Sequence, residues 1–145
     1  LEFNTRFGDP ETQCILPRLK SDLLEIMLAA CDGRLNEMKV QWDQRPCVCV
    51  VMTSGGYPGK YQQGYEIKGL SEITDSDTII FHAGTKNDGG NLVTAGGRVL
   101  GITSVGNNLQ KAIDKAYEAI DKIEFDHMFF RRDIGQKALK ITVQK

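Results

Sequence analysis

Pro46-Cys47-Val48-Cys49-Val50-Val51-Met52 is a β run rich in branched residues, and it marks where the chain changes character. Ser54-Gly55-Gly56-Tyr57-Pro58-Gly59 ends it in a turn-rich loop. Downstream, Tyr65–Ile67, Thr78–His82, Asn91–Thr94 and Arg98–Thr103 read as short strands. Asp88-Gly89-Gly90 supplies hairpin-turn chemistry, and Gly96-Gly97 is a second tight place between strands. From about Asn108 to Ile123 a helix is expected. Leu109, Ala112, Ile113, Ala116, Ile120 and Ile123 form its apolar stripe, and Asn107 with Gln110 resembles a capping box. A final piece runs through Phe125, Met128, Phe129 and Arg131-Arg132-Asp133-Ile134-Gly135.

Upstream of the β run lies a polar connector, about Arg34 to Arg45, with Trp42 as its expected packing anchor. Before it, Leu23, Leu24, Met27, Leu28 and Cys31 recur at helical spacing after Ser21-Asp22, and Gly33 is a reasonable stop. Asp9-Pro10-Glu11 reads as a helix start, with Asp9 as cap and Pro10 at the first helical position. Residues 1–7 alternate around Phe3 and Phe7 as a short extended segment. The expected class is α+β: a helical first third, then a small, mostly antiparallel sheet with packed helices. The boundary falls near residues 36–45.

Composition narrows the function. The 145 residues are 41% hydrophobic and 26% charged, which excludes a mostly disordered chain. Eighteen basic against nineteen acidic residues leave a net charge of −1, with no basic excess for a broad nucleic-acid or anionic-membrane footprint. No apolar run is long enough to span a bilayer, and Glu2, Arg6, Asp9 and Glu11 interrupt any signal-like opening. The opening Leu1-Glu2-Phe3-Asn4 lacks an initiator Met and reads like the middle of a strand, so a fragment of a longer protein is expected. Cys47 and Cys49 point the same way on a strand. Without suitable metal-ligand partners, the four cysteines read as buried reduced thiols of a cytosolic protein.

Glu2 and Asn4, two apart, are hard oxygen donors suited to Mg²⁺ beside phosphates, or simply a solvated strand face. Arg6, Asp9 and Glu11 surround Gly8 and Pro10. The arginine is able to fork onto a carboxylate or phosphate, or to pair with its own acidic neighbours. Arg98, after Gly96-Gly97, is either a ligand contact or a hairpin arginine in solvent. Arg131-Arg132-Asp133 is either a site edge or a neutralised charge run. His82 reads as a satisfied structural residue. The glycine loop at 54–59 matches neither a Walker A loop nor a dinucleotide fingerprint.

Together the segments say more. Leu1-Glu2-Phe3-Asn4-Thr5-Arg6-Phe7-Gly8-Asp9-Pro10-Glu11-Thr12-Gln13 resembles the signature of the phosphoribosylamine–glycine ligases, or glycinamide ribonucleotide synthetases. The resemblance continues through Leu16-Pro17-Arg18-Leu19, Ser21-Asp22-Leu23, Ser54–Gly59, Phe81-His82-Ala83-Gly84-Thr85, Gly96-Gly97-Arg98-Val99-Leu100 and Arg132-Asp133-Ile134-Gly135, covering nearly the whole chain in order. It implies an ATP-grasp ligase of purine synthesis that joins glycine to 5-phosphoribosylamine through an acyl phosphate. Residues 1–38 would be the end of the ATP-grasp domain and residues 39–145 the ligase's C-terminal domain. Glu2 and Asn4 would hold Mg²⁺ or Mn²⁺. Arg6 would be catalytic, and Asp9, Glu11, Arg98 and Arg132 would meet substrate. The N-terminal and ATP-grasp portion of such an enzyme, with its lysines, adenine pocket and lid, has no counterpart here, so the isolated chain is expected to be inactive. The competing reading is a non-catalytic structural or complementing domain derived from an ATP-grasp ligase. A different ATP-grasp ligase sharing this tail is a third.

Overall fold

The structure is a computed structural model that describes residue 4 and residues 6–142. Two helices lead: α1 (Thr12–Ile15), continued by a 3-10 turn at Leu16–Arg18, and α2 (Leu23–Cys31). The remaining elements are β1 (Cys47–Ser54), β2 (Thr78–His82), β3 (Thr85–Asp88), β4 (Asn91–Thr94), β5 (Arg98–Val105), α3 (Leu109–Ile120), β6 (Met128–Phe130) and α4 (Gln136–Thr142). The α+β expectation therefore holds. A four-stranded antiparallel sheet runs β2-β5-β1-β6, and β3-β4 forms a separate hairpin.

The β run at 47–54 alternates strictly: Val48, Val50, Met52 and Ser54 are buried, while Cys47, Cys49, Val51 and Thr53 are half-buried. The buried side faces α3. Asn108 caps that helix by accepting from the Lys111 N–H at 2.9 Å, and Ala112, Ile113, Ala116 and Ile120 form the buried stripe. The cap is thus Asn108 rather than Asn107, and Gln110 donates to Asp114 at 2.7 Å instead of closing a capping box. Val50, Met52, Leu100, Ile102, Ile120, Ile123 and Phe125 share one core. β5 is central and buried on nearly every residue, because α3 covers one face of the sheet while α1 packs on the other.

Several expectations change. Asp9 caps nothing: α1 begins at Thr12, and the carboxylate of Asp9 is held by an arginine from β5. Tyr65–Ile67 makes only a single bridge, Glu66 to Val93, rather than a strand. Trp42 is 41% exposed and only partly packed. The expected extended segment at 1–7 lies mostly outside the described residues, and Asn4, Arg6 and Phe7 belong to no strand. α2 forms as read, with Asp22 accepting from the N–H groups of Leu24 (2.7 Å) and Glu25 (3.3 Å). Yet Leu24, Met27 and Leu28 are exposed, and only Ala29 is buried.

Candidate active-site wall

The site begins at a crossing of two glycines. Gly84, after β2, and Gly96, before β5, approach so closely that a Cβ on Gly84 would lie 2.5 Å from the Gly96 Cα and 2.6 Å from the Arg98 carbonyl oxygen. Only a residue without a side chain permits this approach. The crossing is tied by Gly84 N–H to Arg98 O at 2.8 Å and Ala95 N–H to Gly84 O at 2.7 Å. It fixes the first residue of β5, Arg98, at the sheet end nearest the N-terminal segment.

From there Arg98 reaches back 89 residues. Its Nη1 lies 3.2 Å from Asp9 Oδ2 and donates to the Asp9 carbonyl at 3.3 Å. Gln13 Nε2 also donates to Asp9 Oδ1 at 3.4 Å. Two residues singled out separately in the sequence are thus one ion pair. Glu11 folds back over Gly8, where a Cβ would collide with its carboxylate, and accepts from Asn4 Nδ2 at 3.2 Å. Arg6 pairs with neither Asp9 nor Glu11: among the described residues its Nη1 donates to the Phe7 carbonyl at 3.1 Å, and its side chain is exposed. Asn4, Arg6, Asp9 and Glu11 are all exposed on one short segment. Glu2 lies outside the described residues.

Beside the ion pair runs a largely apolar groove of about 300 Å³, lined by Val51, Thr53, Tyr57, Arg98, Phe129, Arg131 and Ile134. Phe129 is 58% exposed although it sits on β6. Arg131 lines the groove, forking onto Asp133 at 2.9 and 2.6 Å. That fork holds the Asp133 carboxyl below its ordinary range and raises the guanidinium. Arg132 does not line this groove. Its guanidinium stacks on Phe130, 4.8 Å from the ring centroid. Tyr57 and Phe129 are groove residues that the sequence does not single out, whereas the Arg131-Arg132-Asp133 run is both of its alternatives at once, Arg131 lining the groove while pairing with Asp133. The adjacent pair Arg131-Arg132 was visible, but which arginine faces the groove depends on the register of a three-residue edge strand.

His82 is satisfied as expected, its Nδ1 3.1 Å from Thr85 Oγ1. No group of three His, Cys, Asp or Glu side chains among the described residues is placed to hold a metal ion. Asn4 turns its Nδ2 onto Glu11 Oε1, so an amide and a carboxylate lie together; their oxygens are donor types that suit Mg²⁺ or Mn²⁺ but do not make a complete cage.

Residues 47–137 match the family described as phosphoribosylglycinamide synthetase, C domain. The chain belongs to this family. Relatives of the C-domain family that extend beyond it carry the name phosphoribosylamine–glycine ligase. That from Allochromatium vinosum is 50% identical over 139 residues, covering 96% of this chain and 32% of the relative. That from Vibrio vulnificus strain YJ016 is 46% identical over 145 residues, covering 100% of this chain and 34% of the relative. The crystal structure of the Thermotoga maritima phosphoribosylamine–glycine ligase superposes with a TM-score of 0.69 at 34% identity, covering 92% of this chain and 32% of that one. The chain thus spans about a third of the length of the relatives it matches.

Proposed function

We propose that this chain is the C-terminal third of a phosphoribosylamine–glycine ligase, which joins the glycine carboxylate to the amine of 5-phosphoribosylamine at the expense of ATP in cytoplasmic purine synthesis. In this reading residues 1–38 end the ATP-grasp domain, and residues 39–145 form the domain that closes one wall of the active site. The observation that carries it is the Asp9–Arg98 ion pair, which places the signature segment against the sheet beside an arginine-flanked groove.

The chemistry follows from the groups present. A phosphate on the acceptor favours guanidinium donors, and Arg98 lines the groove with its Nη1 held by Asp9 and offers its remaining N–H groups to the phosphate. Arg132, on the neighbouring surface with Arg131, offers a second guanidinium. Asp9 and Glu11 supply carboxylates to orient the acceptor's ammonium and ribose hydroxyls. Arg6, exposed and free of Asp9 and Glu11, is the residue assigned to charge on the acyl phosphate. Asn4 and, outside the described residues, Glu2 would hold Mg²⁺ or Mn²⁺ together with the phosphates of ATP. When bound, the ion and nucleotide supply the phosphoryl group that activates glycine and the charge that stabilises its transfer. This chain's own part is positioning: it holds the acceptor's phosphate and aligns the amine with the activated carbonyl.

The apolar face of α2 supports the same reading. Leu24 (63% exposed), Met27 and Leu28 form a helix face with no cover among the described residues, as expected of a segment that continues a larger domain. A direct test replaces the matching third of the Allochromatium vinosum relative with this chain. With ATP, glycine, 5-phosphoribosylamine and Mg²⁺, the chimera is expected to form ADP only when both substrates are present, while the isolated chain forms none. A folded chimera without turnover, or an isolated chain with it, overturns the proposal.

A further inference from the structure

Away from the groove, three of the four cysteines meet. Cys14 projects from α1, and Cys47 and Cys49 project from the half-buried side of β1 on which α1 packs. Cys14 and Cys47 line one cavity, and Cys14 lies near enough to both β1 thiols to perturb their ionisation. Chain topology, not local sequence, makes this cluster: Cys14 lies before the C-domain match, and Cys47 is its first residue.

The surroundings distinguish this cluster from ordinary core thiols. The only two buried side-chain polar atoms without a conventional hydrogen bond among the described residues, Gln13 Oε1 and Thr103 Oγ1, both flank it. Thr103 faces Cys49 across the β1–β5 ladder, and Gln13 and Cys49 both lie over Gly101, their nearest atoms 3.9 and 3.4 Å from where its Cβ would be. Cys14 and Cys47 line an open cavity of about 330 Å³ with Ile15, Arg18 and Trp42, whereas Cys49 does not reach it. Cys14, and more weakly the Arg18 guanidinium that lines the same cavity, lower the Cys47 pKa against burial and the neighbouring Cys49, which raise it. Cys14, with a smaller contribution from Thr103, lowers Cys49 to about 7. The neighbouring Cys47 and Cys49 sulfurs, together with burial, raise Cys14. A thiolate beside a guanidinium with solvent access is the setting in which cysteine reacts with oxidants. The cluster is not arranged as a metal cage.

We propose that Cys14 and Cys47 form a peroxide-responsive pair that closes to a disulfide and staples α1 to β1. The Cys47 thiolate attacks one oxygen of hydrogen peroxide. The O–O bond breaks, and hydroxide leaves to be protonated to water, which leaves a sulfenic acid on Cys47. The Cys14 sulfur, losing its proton, then attacks the sulfenic sulfur, and the S–O bond breaks with release of a second water. Two thiols and one peroxide become one disulfide and two waters: the sulfurs lose two electrons and the peroxide gains them. The staple ties the segment that carries Asn4, Arg6, Asp9 and Glu11 to the sheet that carries Arg98.

The test treats the full chain with hydrogen peroxide, alkylates the remaining thiols, digests it and maps the peptides by mass spectrometry. A Cys14–Cys47 linked peptide that dithiothreitol removes is expected, with Cys31, exposed on α2, still alkylated. In Cys14→Ser the reaction is expected to stop at Cys47 sulfenic acid, captured by dimedone several-fold faster than at Cys31. In Cys47→Ser the Cys14–Cys47 link and the adduct are both lost. The wild-type map stands even if a variant fails to fold. Absence of the linked peptide, linkage of Cys14 to Cys49 alone, or equal linkage in urea-unfolded chain overturns the proposal.

Discussion

Gly84→Ala tests whether the glycine crossing is what positions Arg98. The added Cβ would sit 2.5 Å from Gly96 Cα, 2.6 Å from Arg98 O and 2.7 Å from Gly96 N. All three are backbone atoms, so no side chain is available to swing aside. Ordinary carbon contacts need about 3.5 Å or more, so the two segments must part by about 1 Å. Forced repacking of this kind costs about 1–3 kcal/mol, and the hydrogen bonds across the crossing are its first casualties. Gly84 is not at positive φ, so the cost is steric rather than torsional. Gly33→Ala is the matched comparison: φ is +70° there but no atom lies within 4 Å, so only the left-handed strain of about 1–2 kcal/mol remains. Urea unfolding, followed by circular dichroism, reads both. The expected order is Gly84→Ala above Gly33→Ala, because about 1 kcal/mol for each weakened crossing hydrogen bond adds to the repacking cost, with unchanged m-values. A Gly84→Ala loss no larger than that of Gly33→Ala would refute the reasoning.

Three further outcomes follow from named contacts. Tyr117 Oη donates to the Arg131 carbonyl at 2.7 Å and accepts from the Ile134 N–H at 3.2 Å, so it ties the arginine loop to α3. Tyr117→Phe keeps the ring and loses both bonds, and is expected to cost about 1–2 kcal/mol in urea unfolding. Asp43, paired with Arg45 at 2.9 Å, has its carboxyl lowered from 3.8 to about 2, chiefly by that hydrogen bond. Its folded value is the lower one, so its contribution to stability is present above pH 3.8 and is lost as the pH falls toward about 2. The melting-temperature gap between wild type and Asp43→Asn is therefore expected to close over that window and to stay constant above it. Arg98 and Asp9 are 40% and 53% exposed, so Arg98→Gln should change unfolding stability by less than about 1 kcal/mol, which leaves its functional effect readable.

Legibility followed the range of the interactions. Thr78–His82 and Asn91–Thr94 were read with their observed bounds, because branched residues and flanking turn chemistry are local signals. The stripe from Leu109 to Ile120 was equally plain, although Asn107 and Asn108 are interchangeable as caps on sequence alone. Tyr65–Ile67 has strand composition, but its only ladder contact is one bridge to Val93. β6 has three residues and α4 seven, too short to impose a period. Asp9 looked like a helix cap because Asp-Pro-Glu is a cap pattern. Its actual partner, Arg98, comes from another element, and no local pattern announces that. The same holds for Cys14 and Cys47, which come together at one cavity. The family resemblance therefore singled out candidate residues, while their pairing required the fold.

Arg98 is the residue on which the proposed ligase role rests most heavily, since it joins the N-terminal segment to the groove. In the chimera with the Allochromatium vinosum relative, the decisive measurement is the KM for 5-phosphoribosylamine in Arg98→Gln. Loss of a charge-assisted phosphate contact of about 1.5–3 kcal/mol predicts a rise of about tenfold or more, with the KM for glycine unchanged. An unchanged KM for the acceptor, in a variant that remains folded, would contradict the account.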